Sequence, residues 1–166
     1  MNNFVFKITF KQQLASLSWM LSVWGIIFSI YLYFFGFTFQ SMYVYIIGPI
    51  FFLPDVVPTL IVHIQYLRKN WGTILIIDRS SKILEYKSPK ANLQYHFDDI
   101  TTLQRIVSYG EGQWYSFRNY TYFKIIFKDK TEIIITSLMM RYIKFNLEIL
   151  LGIQAQKKFR IVAFVY

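Results

Sequence analysis

Leu14–Phe39 reads LASLSWMLSVWGIIFSIYLYFFGFTF, 26 residues without one charge. As a helix it would be about 39 Å long at 1.5 Å per residue. The hydrocarbon core of a bilayer is about 30 Å thick, so the segment is long enough to cross it with some tilt. The uncharged run extends further, from Gln12 to Pro54, 43 positions in all. A buried core helix of this length would need more surrounding protein than 166 residues supply. A cleaved secretory signal fits poorly: Lys7 and Lys11 resemble an n-region, but the apolar run is too long and no small-residue cleavage site follows.

Moving toward the C-terminus, Met42–Leu67 (MYVYIIGPIFFLPDVVPTLIVHIQYL) is a second apolar stretch, less regular than the first. Pro49, Pro54 and Pro58 each lack a backbone donor, so a straight helix is not expected. The uncharged link Gly36–Ser41 is short, and the sequence predicts an antiparallel transmembrane hairpin over 14–67, with spans at 14–39 and 42–67. Tyr43 and Tyr45 mark its far end, and Tyr66 and Trp71 its near end, where amphipathic rings favour the membrane–water boundary. Lys7 and Lys11 precede the first span, Arg68 and Lys69 follow the second, and the turn carries no charge. The positive-inside rule then puts both termini in the cytoplasm, with residues 1–13 as an N-terminal cytoplasmic segment.

The whole chain is 55% apolar and 20% aromatic, with mean hydropathy +0.35. That is high for a soluble domain. There are no cysteines, which excludes disulfide scaffolds, thiolate zinc sites and cysteine nucleophiles. From Tyr66 onward 16 Lys/Arg face 8 Asp/Glu. A basic domain tethered at the inner face meets anionic headgroups, with each nearby Lys or Arg worth about 1 kcal/mol. The charges are spread along the predicted strands rather than clustered, and orientation and solubility alone could account for them.

Residues 68–166 read as strands followed by one helix. Gly72–Asp78 and Lys82–Lys87 are β-branched runs around Arg79-Ser80-Ser81, a hairpin signal. Asn92–Phe97 alternates Leu93, Tyr95 and Phe97 with polar neighbours, as a half-buried strand does. Ile100–Tyr109 is the next strand, ending in the Gly110-Glu111-Gly112 loop. Tyr120–Lys128 and Thr131–Thr136 flank Asp129-Lys130, a second tight hairpin. The period then changes: Leu138–Leu151 puts Arg141, Lys144 and Glu148 on one stripe, predicting a helix over 138–151 packed on the sheet and stopped by Gly152. Phe159–Tyr166 reads as a further strand or a membrane-surface tail. The fold class expected is α+β, a transmembrane helical hairpin followed by a small antiparallel roll.

Several local patterns carry a family resemblance over about residues 15–152. They are Pro58-Thr59-Leu60-Ile61-Val62-His63-Ile64-Gln65-Tyr66 with Asn70, then Phe97-Asp98-Asp99-Ile100, then Thr136-Ser137-Leu138. In these the chain resembles bacterial membrane proteins with a two-helix hairpin and a pleckstrin-homology-like (PH-like) domain. The resemblance implies an antiparallel β-sandwich with a C-terminal capping helix, and a binding role rather than catalysis. Phosphoinositide-binding relatives in eukaryotes place several Lys/Arg around the first hairpin. That loop is read here as Asp78-Arg79-Ser80-Ser81-Lys82, with Lys87 and Lys90 beyond it and Glu85 between, a pattern diluted by acids.

The sequence holds no glycine-rich phosphate loop, nucleophile elbow or HExxH. No catalytic residue, cofactor or metal is assigned. His96 and Asp98 share a strand face, which a metal would need, but a polar face entering a turn accounts for them equally. Asp98 and Asp99 project to opposite faces, a poor geometry for acid–base cooperation.

Asp55 sits in the second apolar stretch, where an ionised carboxylate costs about 2.5–3.5 kcal/mol. With Thr59 and His63 at four-residue intervals it forms a polar stripe on one helix face. The stripe has three readings: an ion-handling face in an oligomer, a helix cap after Pro54, or a protonated acid. Arg79, Lys82, Lys87, Lys90, Trp114 and Arg118 are the candidate contacts for lipid or a partner, Trp114 and Arg118 as an aromatic–basic loop.

Three functions fit: a non-enzymatic inner-membrane protein whose basic domain binds a protein partner or an anionic lipid surface; an immunity protein neutralising a membrane-acting toxin; or a channel or transporter accessory that uses the Asp55/Thr59/His63 stripe and would need to act as a homo-oligomer. Nucleic acid is not an expected partner.

Overall fold

A computed structural model describes residues 3–36, 42–111, 115–140 and 143–165. The chain opens with strand β1 (Asn3–Lys7), then helices α1 (Phe10–Phe35) and α2 (Met42–Asn70). Six strands follow, β2 (Ile74–Asp78), β3 (Ile83–Lys87), β4 (Asn92–His96), β5 (Ile100–Ser108), β6 (Thr121–Phe127) and β7 (Glu132–Thr136). Helix α3 (Ile143–Leu151) and strand β8 (Gln156–Arg160) complete it.

The strands form two four-stranded sheets, ordered β1-β2-β3-β4 and β7-β6-β5-β8. All pairings are antiparallel except β5–β8, which is parallel. Period-two patterning decides which side chains go inside. In β2, Leu75 and Ile77 are buried; in β6, Phe123, Ile125 and Phe127; in β7, Ile133 and Ile135. These meet Leu84, Leu103 and, from α3, Leu147, Leu150 and Leu151 in one apolar core. Each such side chain contributes about 1.5–3 kcal/mol by leaving water.

The segment before the first apolar stretch is not a tail. Asn3–Lys7 pairs in register with Ile74–Asp78, so β1 and β2 are neighbours and both long helices lie in the connection between them. The helix also starts earlier than Leu14. Thr9 caps it, accepting from the Gln12 backbone while the Gln12 side chain accepts from Thr9, a reciprocal box that fixes the start at Phe10.

Between Ser18 and Met20 α1 bends by 48°. Among the described residues no single helix is long and apolar enough to cross a membrane, although the two arms of α1 taken together are. Helix α2 runs through Pro49, Pro54 and Pro58 without interruption, contrary to the break expected there, and ends at Asn70, three residues past the predicted Leu67. Near Pro58 the Thr59 hydroxyl donates to the Asp55 carbonyl at 2.6 Å, adding a side-chain bond to a stretch where a proline has removed a backbone one. The link residues 37–41 lie outside the described residues.

At the other end the predicted helix over 138–151 begins only at Ile143. Leu138, Met139 and Met140 form a turn and are all buried, anchored by the Met139 amide donating to the Thr136 carbonyl. Gly152 does end α3, at φ 67°, with its amide on the Glu148 carbonyl. The tail joins the sheet, but as Gln156–Arg160 rather than Phe159–Tyr166. Its last described residues turn away to pack elsewhere, as shown next.

Candidate functional site

The second half of α2 lies on the outer face of the β7-β6-β5-β8 sheet. Val62 and Tyr66 pack there with Ile106, Tyr120, Tyr122, Leu138, Ala163 and Val165. Residues 55, 59, 62, 63, 66 and 70 are all buried, the 3.6-residue spacing of one helical face.

Four residues of that face, Asp55, His63, Tyr66 and Asn70, make polar ties to the domain. The Asp55 carboxylate accepts from Ser116 twice, from the amide at 2.6 Å and the hydroxyl at 2.9 Å. His63 Nδ1 shares a 2.8 Å hydrogen bond with the Tyr120 hydroxyl. The Tyr66 hydroxyl donates to the Ala163 carbonyl at 2.9 Å. Asn70 closes the row, donating to the Ile134 carbonyl and accepting from the Thr136 amide. The C-terminal tail completes the seam: the Ala163 amide donates to the Ser108 hydroxyl and the Val165 amide to Gln65. Burial pushes the Tyr120 hydroxyl well above its ordinary pKa, so it stays protonated.

Asp55, Thr59 and His63 therefore do share a face, and that face meets the chain's own domain. Their polar atoms are used within the seam. Tyr66, expected at a membrane boundary, is fully buried beneath the helix.

The basic candidates do not converge. Arg79 and Lys82 lie in the β2–β3 loop. Lys87 ends β3, five residues from Lys82, which is about 17 Å of strand. Lys90 is in the β3–β4 turn, and Lys87 is paired with Glu85 at 2.9 Å. Arg118 belongs to the 3-10 turn Ser116–Asn119, next to the other sheet, with its guanidinium 4.8 Å from the Tyr115 ring centre. Trp114 lies outside the described residues. In the β2–β3 loop Asp78 accepts from the Ser80 hydroxyl and from the Ser80 and Ser81 amides, bonds that hold its carboxyl down to about 2. His96 and Asp99 cap a 3-10 turn, the His96 ring accepting from the Asp98 amide and the Asp99 carboxylate from the His96 amide, and no metal-holding cluster occurs among the described residues.

The arrangement has the parts of a known module: four antiparallel strands, three more, and a helix whose leucines enter the core. The sequence model of the PH-domain family matches residues 5–147. The chain belongs to the PH-domain family. No curated protein and no solved structure matches it. The match starts within β1 and ends within α3, so the PH domain begins before the helices rather than after them.

This moves the loop comparison by one strand. The first hairpin of this PH domain is the β1–β2 connection, which holds α1 and α2; Asp78–Lys82 is the second. PH domains serve as binding modules, and the whole chain here carries +9.

Sequence reasoning missed Ser116 and Tyr120, the partners of the stripe. Nothing local marks Ser116. The other partner had a faint signal: Tyr120 and Tyr122 are two residues apart in a strand, on the face opposite Phe123, which asks for a cover on the outer side of the sheet.

Proposed function

We propose that this PH domain is a non-enzymatic binding module held at a membrane by its two-helix insertion, with both termini on the cytoplasmic side of a bacterial inner membrane and its basic surface turned to anionic lipid. The observation that carries this reading is the far arm of α1. Ile26, Phe28, Ile30 and Phe34 are each 50–71% exposed. Contiguous apolar exposure of this kind marks a surface meant for lipid or a partner. Charge supports the choice of lipid and the orientation: the cations flank the helices at Lys7, Lys11, Arg68 and Lys69, and none lies between Gln12 and Pro54.

The test uses the full chain expressed in a bacterial host. The wild type is expected to stay with the membrane pellet through an alkaline carbonate wash and to need detergent for release. The Ile26→Lys/Ile30→Lys variant should appear in the wash. A C-terminal reporter that works only in the cytoplasm should be active. Recovery of the wild type in the wash without detergent overturns the reading.

A further inference from the structure

The direction of α2 identifies one end of the sandwich. Asn70 touches β7 at the level of Ile134 and Thr136, His63 touches Tyr120 at the start of β6, and Asp55 touches Ser116 beyond it. Residues 42–54 therefore project past the end where β5 finishes, β6 starts and β8 finishes.

That end has an unusual surface. Ile161 is 87% exposed and Tyr109 72%, and the Tyr109 and Phe159 rings meet edge-on at 6.5 Å. The Tyr109 amide donates to the Arg160 carbonyl at 2.6 Å, so these groups belong to one ordered patch. Tyr115, also exposed, stands under the Arg118 guanidinium in the turn that grips Asp55. Strand β8 adds Lys157, Lys158 and Arg160, all exposed, Lys158 and Arg160 on one face and Lys157 with Phe159 on the other. The single acid in these segments, Glu111, sits between Arg105 at 2.7 Å and Lys157 at 3.4 Å, and leaves the patch strongly cationic.

Resting on the membrane reading above, we propose that this end of the sandwich is a collar seated in the headgroup layer of an anionic leaflet. The aromatic rings and Ile161 enter the boundary, and Arg118, Lys158 and Arg160 face lipid phosphates. Mixed aromatic and basic side chains suit that layer and no other part of the bilayer. Length requires the same placement. The 13 residues of α2 beyond the domain measure about 20 Å, against about 30 Å of hydrocarbon, so an arm this short reaches deep only if the domain's end rests on the surface. Asp55 is then accounted for as well. It lies at the polar boundary, bonded to Ser116, and not in the centre of the bilayer.

Because the chain has no cysteine, single nitroxide labels can be placed cleanly in the full chain, reconstituted in zwitterionic vesicles and in zwitterionic–anionic mixtures. Labels replace Tyr109, Ile161, Ser80 and Ile26 in turn, and depth is read from relaxation by aqueous and lipid-soluble agents. Labels at 109 and 161 should sit at headgroup depth and move deeper with anionic lipid, while 80 stays aqueous and 26 lies among acyl chains. Lys157→Gln/Lys158→Gln/Arg160→Gln, all on the exposed strand, should abolish the anionic shift and leave the label at 26 in place. Labels at 109 and 161 as water-accessible as 80, with 26 immersed, overturn the collar alone. Protection at 109 and 161 that persists in detergent without lipid also overturns it, in favour of a protein contact. A label at 26 in water overturns the membrane reading itself.

Discussion

The interior between the two sheets and the seam under α2 are both fully buried, yet they are made of different chemistry. Between the sheets the side chains are Leu75, Ile77, Leu84, Phe123, Ile125, Phe127, Ile133 and Ile135, with no polar partner among them. Under α2 three tyrosines, Tyr66, Tyr120 and Tyr122, stand among the aliphatic residues, and Asp55, Thr59, His63 and Asn70 share the space with them. The first is held by transfer from water and close packing, which is non-directional. The second is held by hydrogen bonds that set one position of the helix along the sheet. Sliding α2 by a single turn would leave a carboxylate, an imidazole and an amide buried without partners, and that penalty fixes the register of the insertion on the domain.

The largest expected effect is in the apolar interior. Phe123→Ala removes a fully buried ring and should cost about 3–5 kcal/mol. Denaturant unfolding followed by the near-UV signal of the sandwich checks it. A loss below ~1 kcal/mol would mean that the region is far looser than its packing implies.

Asp55→Ala comes next and its sign is informative. If the carboxylate is a seam residue, its loss strands the Ser116 amide and should destabilise by about 1.5–3 kcal/mol. Hydrogen exchange should rise at Ser116–Asn119 and along Asp55–His63, with little change in β2 or β3. Were Asp55 exposed to hydrocarbon, alanine would stabilise the inserted chain instead. Asp55→Asn, which keeps one acceptor, should lie between wild type and alanine.

This seam also explains what could be read in advance. The β-branched and apolar runs between turn signals, with the alternation at Asn92–Phe97, mark every strand from β2 to β7 to within a few residues, because each is a short apolar stretch bounded by polar turn residues. Strand β1 escaped because Asn3–Lys7 is five residues with only Phe6 half-buried, too short for a period to show. Strand β8 escaped for the opposite reason: QKKFR is exposed at all five positions and is held by backbone pairing to β5. Asp55, Thr59 and His63 are all buried on one side of α2, but helical spacing says only that residues share a face. It does not say what the face meets. An apolar run broken by a few polar groups has the same pattern whether those groups turn to an ion path or to a tyrosine-rich sheet, and long-range contacts such as Asp55 to Ser116 leave no local trace.

A smaller effect is expected at the middle of the seam. Tyr120→Phe keeps the ring against Tyr66 and deletes only the hydroxyl bonded to His63. The cost should be about 1 kcal/mol, the net worth of one hydrogen bond. Pairing it with His63→Ala in a double-mutant cycle separates that bond from the ring contacts. Additive losses would show that the bond contributes nothing to stability.

The weakest effect belongs to the exposed β2–β3 loop, which the seam does not touch. The bonds from Ser80 and Ser81 hold the Asp78 carboxyl at about 2 in the folded chain, below the ordinary 3.8. A depressed acid contributes stability that is fully present above its unfolded pKa and is lost as pH falls through the folded one. The loop's contribution should therefore be intact at pH values above 3.8 and vanish between there and about 2. Because the carboxyl is fully exposed, solvent screens the effect and only a shallow slope is expected. Carboxyl NMR titration of the full chain should find the Asp78 midpoint well below 3.8, and Ser80→Ala should raise it toward that value. An unchanged midpoint would show that the serine hydroxyl does not hold the carboxylate. The seam variants should leave this titration where it is, since the loop and the α2 interface share no hydrogen bond.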